Sequence, residues 1–237
     1  KILLVILAIF LCVAFYELLG ICVAYKKQPE VSNTTKKETK NGSWNECSEN
    51  TERAVIIEKN PEALLQRVRL IKNAKKEIIL STFAFQSDES GKLILGALHD
   101  AADRGVHIRL LVDGMESWID MEGNPYFYGL SSHENVEIKL YNKANPLKPW
   151  KMMGRMHDKY LIADGKRYIL GGRNTYNYFL GDFPGHKNYD RDVLVVCDEP
   201  EKENSVNQLL EYFETIWEQE DSGYFHDNKK LANRKSV

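Results

Sequence analysis

Four cysteines in 237 residues are too few and too scattered to staple a fold: Cys12 and Cys22 share one apolar run, Cys47 and Cys197 lie far apart, and no CxxC occurs. That excludes a disulfide framework and argues against a metal site built on thiolates. An excess of either charge is also missing. Lys and Arg number 32 against 34 Asp and Glu, a net charge of −2. No global field favours a polyanion, so any phosphate binding must come from a local site. Seven prolines, 43% hydrophobic and 28% charged residues exclude wholesale disorder and collagen-like repeats. With only one long apolar run, a polytopic membrane protein is excluded too.

That run is residues 2–25, interrupted by one charge, Glu17, and followed by Lys26-Lys27. At a helical rise of about 1.5 Å per residue it spans roughly 36 Å, enough to cross a bilayer with some tilt. It is long for a signal h-region, and no clear A-x-A cleavage site follows. Residues 1–27 are therefore expected to be a transmembrane anchor or uncleaved signal, with the globular part extracytoplasmic. Residues 28–53 are polar and lack apolar periodicity, as in a flexible tether.

Beyond the tether the pattern alternates. Asn60-Pro61 suits a helix start, with Asn as the cap, and Leu64, Val68 and Ile71 follow at helical spacing. Glu77–Phe85 reads as a buried strand. Gly91–Arg104 reads as a helix stopping at Gly105. Strands are expected at 106–112, 136–141, 160–163, 168–170 and 193–196. A last helix carries Val206, Leu209, Leu210, Phe213 and Trp217 on one stripe. The fold class is α/β, a mixed β-sheet flanked by helices.

The chemistry concentrates in residues 156–174, MHDKYLIADGKRYILGGRN. His157 and Lys159 are two apart, so on a strand they project from one face. Gly171-Gly172 at the end of the next strand lets backbone approach a ligand, and Asn174 adds an amide donor. An imidazole, an ammonium, an amide and open backbone suit a phosphate diester: Lys159, Gly171, Gly172 and Asn174 would hold it, and the imidazole could attack phosphorus. Either half alone would be ordinary, because His-x-Lys is common on solvated strands and Gly-Gly in turns. Their joint spacing with Asp164 makes the case.

The pattern His157-x-Lys159-x4-Asp164-x6-Gly171-Gly172-x-Asn174 resembles the HKD signature of the phospholipase D superfamily. Residues 95–114, LGALHDAADRGVHIRLLVDG, resemble the helix–strand unit preceding that motif in cardiolipin synthases and bacterial phospholipase D-like proteins. The resemblance covers one lobe, expected at 54–220, with 221–237 as a linker toward a second. It implies a metal-independent exchange through a phosphohistidine on His157, with Lys159 and Asn174 stabilising charge. The residue matching Asp164 is mostly structural in the family. An acidic residue further on commonly orients the imidazole. Asp192 is the best match and Asp190 the fallback. Where the family often has Ser, this chain has Gly172.

The expected activity is that of a phosphodiesterase or phosphatidyltransferase acting on phospholipids, without cofactor or metal. The rivals are a nuclease of the same superfamily and a non-catalytic lipid- or partner-binding lobe. The globular part shows no basic stripe to track a nucleic-acid backbone, so lipid and membrane are the expected partners rather than nucleic acid. His99 and Asp103 share a helix face but lack a third metal ligand. Asp113 reads as a turn residue at the site rim. His107, His133, His186 and His226 stand in no second HKD context. The required second imidazole must then come from another lobe, either of the same parent chain or of a homodimer. The chain starts at Lys rather than Met, and the former is the expectation.

Overall fold

A computed structural model describes residues 1–26, 52–199 and 204–225, with positions 32, 33, 36, 37 and 202. Most of the expected tether lies outside these residues. The chain divides into two compact units, 1–50 with 144–154, and 51–143 with 155–237.

In the first unit, α1 runs Ile2–Lys26, and a 3-10 turn spans Pro149–Lys151. The stretch Ile2–Ala24 is long and apolar enough to cross a membrane, and nearly all its side chains lie outside the protein interior. This helix fits membrane anchoring.

The second unit is an eight-stranded sheet: β1 (Glu52–Ile57), β2 (Glu77–Thr82), β3 (His107–Asp113), β4 (Val136–Tyr141), β5 (Tyr160–Ala163), β6 (Arg167–Gly171), β7 (Asp192–Cys197) and β8 (Ser222–Tyr224). Their order is β1-β7-β6-β5-β2-β3-β4-β8. The pairs β2–β3 and β3–β4 are parallel and the remaining pairs antiparallel, so the sheet is mixed, as the alternation implied. Helices α2 (Asn60–Asn73), α3 (Glu89–Asp103), α4 (Gly114–Asp120), α5 (Pro125–Ser131) and α6 (Ser205–Trp217) complete it.

Strand alternation sorts the core into two layers. Ile78, Leu80, Ile108 and Leu110 join Ile71 of α2, Leu98 of α3 and Phe127 of α5. Ile79, Leu111 and Ile162 point the other way and pack with Phe213 and Trp217 of α6. Each layer removes one sheet face from water, which is the main stabilising term.

Four expectations change at their edges. Asn60 is the first helical residue rather than the cap, because its amide is used elsewhere: it donates to the Asn188 carbonyl at 2.8 Å and accepts from Arg173 Nε at 3.1 Å. The lobe begins at Glu52, where β1 pairs with β7. The short helices α4 and α5 are too brief to show periodicity, and their starts rest on side-chain caps from Asp113 and Asn124. Residues 222–224, expected in a linker, instead pair with β4, and 226–237 lie outside the described residues.

Asp164 explains one end of the sheet. It follows β5 at φ 56°, a left-handed conformation that Asp tolerates better than most residues. Its carboxylate accepts from the backbone N–H groups of Lys75, at 3.0 Å, Lys76, at 2.7 Å, and Glu77, at 3.1 Å. These are the orphan donors of the turn between α2 and β2, so Asp164 ties β5 to that turn. Asp164→Ala leaves three amides to water or to nothing and should destabilise the lobe by about 2–4 kcal/mol. The denaturant midpoint of the full chain in detergent measures this; an unchanged midpoint would remove the structural role.

Candidate active site

Antiparallel pairing brings several strand ends to one edge of the sheet. β2 ends at Thr82 and β6 at Gly171, while β5 and β7 start there, and the parallel β3 ends there at Asp113. His157 and Lys159 lead into β5, and the Lys159 carbonyl still accepts from Gly171 N–H at 3.2 Å. The strand-like projection of His157 and Lys159 therefore extends just beyond the formal start of β5. Asp164 sits at its other end and takes no part in this group.

Phe83, in the turn after β2, is the platform. Its ring meets the His157 imidazole edge-on at 4.6 Å between centroids, with Lys159 Nζ at 5.2 Å and the Arg155 guanidinium at 4.9 Å from its centre. His157 itself is exposed, whereas Lys159 is 5% exposed. The Lys159 ammonium donates to the His157 carbonyl at 2.7 Å. Burial pushes the Lys159 ammonium down to about 8, against a smaller opposing pull from Asp158 and Asp190. Burial also lowers the His157 imidazole below its ordinary value, helped by the charge of Lys159. Near neutral pH the imidazole is thus predominantly unprotonated and nucleophilic while the lysine keeps most of its charge.

Asn174 follows β6. Its Oδ1 accepts from Ala84 N–H at 3.3 Å, and the next residue, Thr175, forms a parallel bridge with Phe85. Oδ1 is thereby committed to backbone, and the amide NH2 remains the end suited to an anion.

Between Gly172 and Asn174, Arg173 turns fully into the core. It donates to the carbonyls of Ile57, Glu58 and Asp190 and pairs with Asp192 at 3.2 Å. The same Asp192 oxygen accepts from Arg67 Nη1 at 2.9 Å. This corrects the orienting role expected of Asp192: among the described residues its partners are Arg67 and Arg173, and it holds β7 to α2 rather than to the imidazole. Asp190, the fallback, stands nearer the motif residues. Its charge acts on Lys159, and its Oδ2 lies 2.0 Å from where a Cβ on Gly172 would stand. The missing side chain at Gly172 makes room for this carboxylate.

Asp113 reaches the rim, as its position allowed. It is 1% exposed, caps α4, and grips Arg155 at 2.9 Å and the Met156 N–H at 3.0 Å. The chain entering His157 is fixed by this carboxylate. The sequence reading missed Phe83, Arg67, Arg173 and Arg155. Arg67 had a usable signal, since it lies three residues after Leu64 on the helix face otherwise chosen by apolar residues. Phe83 had none, because its importance comes from a contact across 74 positions of chain. His99 and Asp103 form a 3.2 Å pair on the surface of α3, with His133 on the same carboxylate. No group of three such residues among the described residues is arranged to hold a metal ion.

The Gly172–Asp190 contact is testable by a double-mutant cycle. Gly172→Ser should cost about 1–3 kcal/mol, since the carboxylate must swing away. In an Asp190→Ala background the same change should cost little. Denaturant midpoints of the four proteins read the coupling, and additive costs would refute the contact.

Residues 67–217 match the family described as cardiolipin synthase, PLD-like domain. Cardiolipin synthase C of Escherichia coli is 29% identical over 171 residues, covering 66% of this chain and 34% of that protein. The chain spans 22% to 34% of the length of this and other curated relatives. Two solved structures share the fold. The phospholipase D family member Nuc of Salmonella typhimurium has a TM-score of 0.52 at 20% identity, over 74% of this chain and 99% of that one. Phosphatidylserine synthase of Haemophilus influenzae has a TM-score of 0.58 at 17% identity, over 76% of this chain and 41% of that one. The matched stretch runs from α2 through the HKD-like segment to the last residue of α6, and on that ground the chain belongs to the phospholipase D superfamily.

Proposed function

We propose that this chain is one lobe of a phosphodiesterase or phosphatidyltransferase acting on phospholipids, with His157 as nucleophile. The observation that carries the reading is the convergence of an exposed, largely neutral imidazole with Lys159 and Asn174 at one sheet edge. An imidazole nitrogen forms a bond to phosphorus while the bond to the leaving alcohol oxygen breaks, giving a phosphohistidine. Lys159, the Asn174 amide and the backbone at Gly171 and Gly172 stabilise the added negative charge. A second imidazole, from another lobe or another copy of this chain, protonates the leaving alcohol. It then deprotonates water or an acceptor alcohol for the return step. Asp190 supports the charge of Lys159.

Phospholipid is favoured as substrate because the lobe follows a helix that fits membrane anchoring and because the family match is to cardiolipin synthases. The proposal keeps the division into anchor (1–27), tether and lobe, with the lobe's edges moved from 54 and 220 to take in β1 and β8. It places the lobe on the extracytoplasmic side, the commoner arrangement for a single N-terminal anchor. Protection of the lobe from protease added to intact cells would reverse that sidedness.

The deciding experiment offers the full chain phosphatidylglycerol vesicles and single-stranded DNA in parallel, with EDTA present. Lipid turnover is expected once a second lobe is supplied, and it should persist in the chelator. His157→Asn should abolish both turnover and the acid-labile phosphoenzyme without moving the denaturant midpoint. Cleavage of DNA alone would turn the assignment to a nuclease. Binding of lipid without turnover, also on supplying a second lobe, would leave a non-catalytic lobe.

The pH profile follows from the two shifted groups. Activity should rise through the His157 value, below the ordinary 6.5, as the imidazole loses its proton. It should fall around pH 8 as Lys159 loses its charge. Lys159→Arg should lower kcat yet carry the alkaline limb to higher pH, because guanidinium stays protonated. A limb that does not move would assign it to the second imidazole instead.

A further inference from the structure

The segment 144–154, between β4 and β5, takes no part in the sheet. It contains no acidic residue, two lysines, and three exposed apolar side chains: Leu147, Trp150 and Met153, at 79%, 45% and 50% exposure. A short loop that leaves Leu, Trp and Met in water while burying a proline lacks the cover such side chains ordinarily find.

Its contacts say what the cover is. Pro149 packs against α1 at Gly20, where a Cβ would stand 2.5 Å from Pro149 Cγ. The Tyr16 hydroxyl donates to the Leu147 carbonyl at 3.0 Å. The loop thus lies along α1, whose own apolar surface is exposed almost all round. Whatever medium covers α1 also covers the side chains laid beside it. The level on α1 is informative. Tyr16 and Glu17 are the first polar side chains after the apolar stretch that begins at Ile2, and Gly20 is six residues, about 9 Å, short of Lys26. Tyrosine and tryptophan gather at the depth where acyl chains give way to head groups, and lysines can extend from there to phosphates.

We propose that residues 144–154 form a second membrane contact, an interfacial loop seated beside α1 in a phospholipid bilayer. Leu147, Trp150 and Met153 enter the acyl boundary, and Lys148 and Lys151 face head-group phosphates. This rests on the reading of α1 as a membrane helix. Gly154 precedes His157 by three residues, so the loop fixes to lipid the stretch of chain leading directly to the nucleophile.

Full chain reconstituted in phosphatidylcholine–phosphatidylglycerol vesicles tests the inference, using lipids brominated at shallow or deep acyl positions to quench tryptophan. Co-flotation with the vesicles reports α1. Shallow bromines should quench more than deep ones, and Trp150→Phe should remove about half of the quenched signal, as interfacial seating requires. Trp118→Phe, in α4, should leave the quenched signal unchanged. Co-flotation with identical quenching in parent and Trp150→Phe would overturn the loop contact and leave the anchor standing. Failure to co-float would overturn both. Quenching that falls as the protein-to-lipid ratio rises would show a second copy, not lipid, covering the loop, and would also overturn the proposal.

Discussion

One carboxylate between two guanidiniums sets the geometry on which the site depends. Asp192, Arg67 and Arg173 come from β7, α2 and the turn after β6, and all three side chains are almost wholly buried. An unpaired charge at such depth is so costly that no arrangement separating them can compete. Since Arg173 must reach inward, the residues on either side have little freedom. Gly172 is held against the start of β7 and Asn174 against the turn after β2. Gly172 and Asn174 are therefore placed by a neighbour whose own side chain turns into the core.

A second restraint acts on the other half of the site. Asp113, at the end of a parallel strand, caps a helix and holds Arg155 and the Met156 N–H. Arg155 and Lys159 share the face of Phe83 with the His157 ring. Three cationic or potentially cationic groups crowd one aromatic ring; burial chiefly, and then the charges of Lys159 and Arg155, favour the neutral form of His157. The lysine is lowered chiefly by its own burial. The same packing thus yields a free base and a retained positive charge in adjacent residues, the division of labour that phosphoryl chemistry needs.

Much of this was legible in the residue pattern, for reasons that differ by element. Strands β3, β4, β5 and β7 show in the sequence because their apolar runs are continuous or alternate, and α6 because Phe213 and Trp217 recur at helical spacing. The spacing of His157, Lys159 and Asn174 was readable because the connection between β5 and β6 is short, so the start of one strand and the end of the next lie within one stretch of sequence. What could not be read depends on long separations. Asp192 stands in a suitable position along the chain, but only Arg67, 125 residues earlier, reveals that its charge is already spoken for. Strand β1 was hidden for a different reason: as an edge strand exposed on both sides, it shows no alternation between buried and solvent positions.

The four residues of β5 act as a ruler. At one end the strand delivers His157 and Lys159 to the sheet edge, and at the other Asp164 is clamped to three consecutive amides. Because side chains alternate, the clamp fixes which way both catalytic candidates face as well as how far they reach. One residue added inside the strand would present them to the opposite layer. The interval between Lys159 and Asp164 is thus a record of phase, kept at the far end of the strand from the residues it orients.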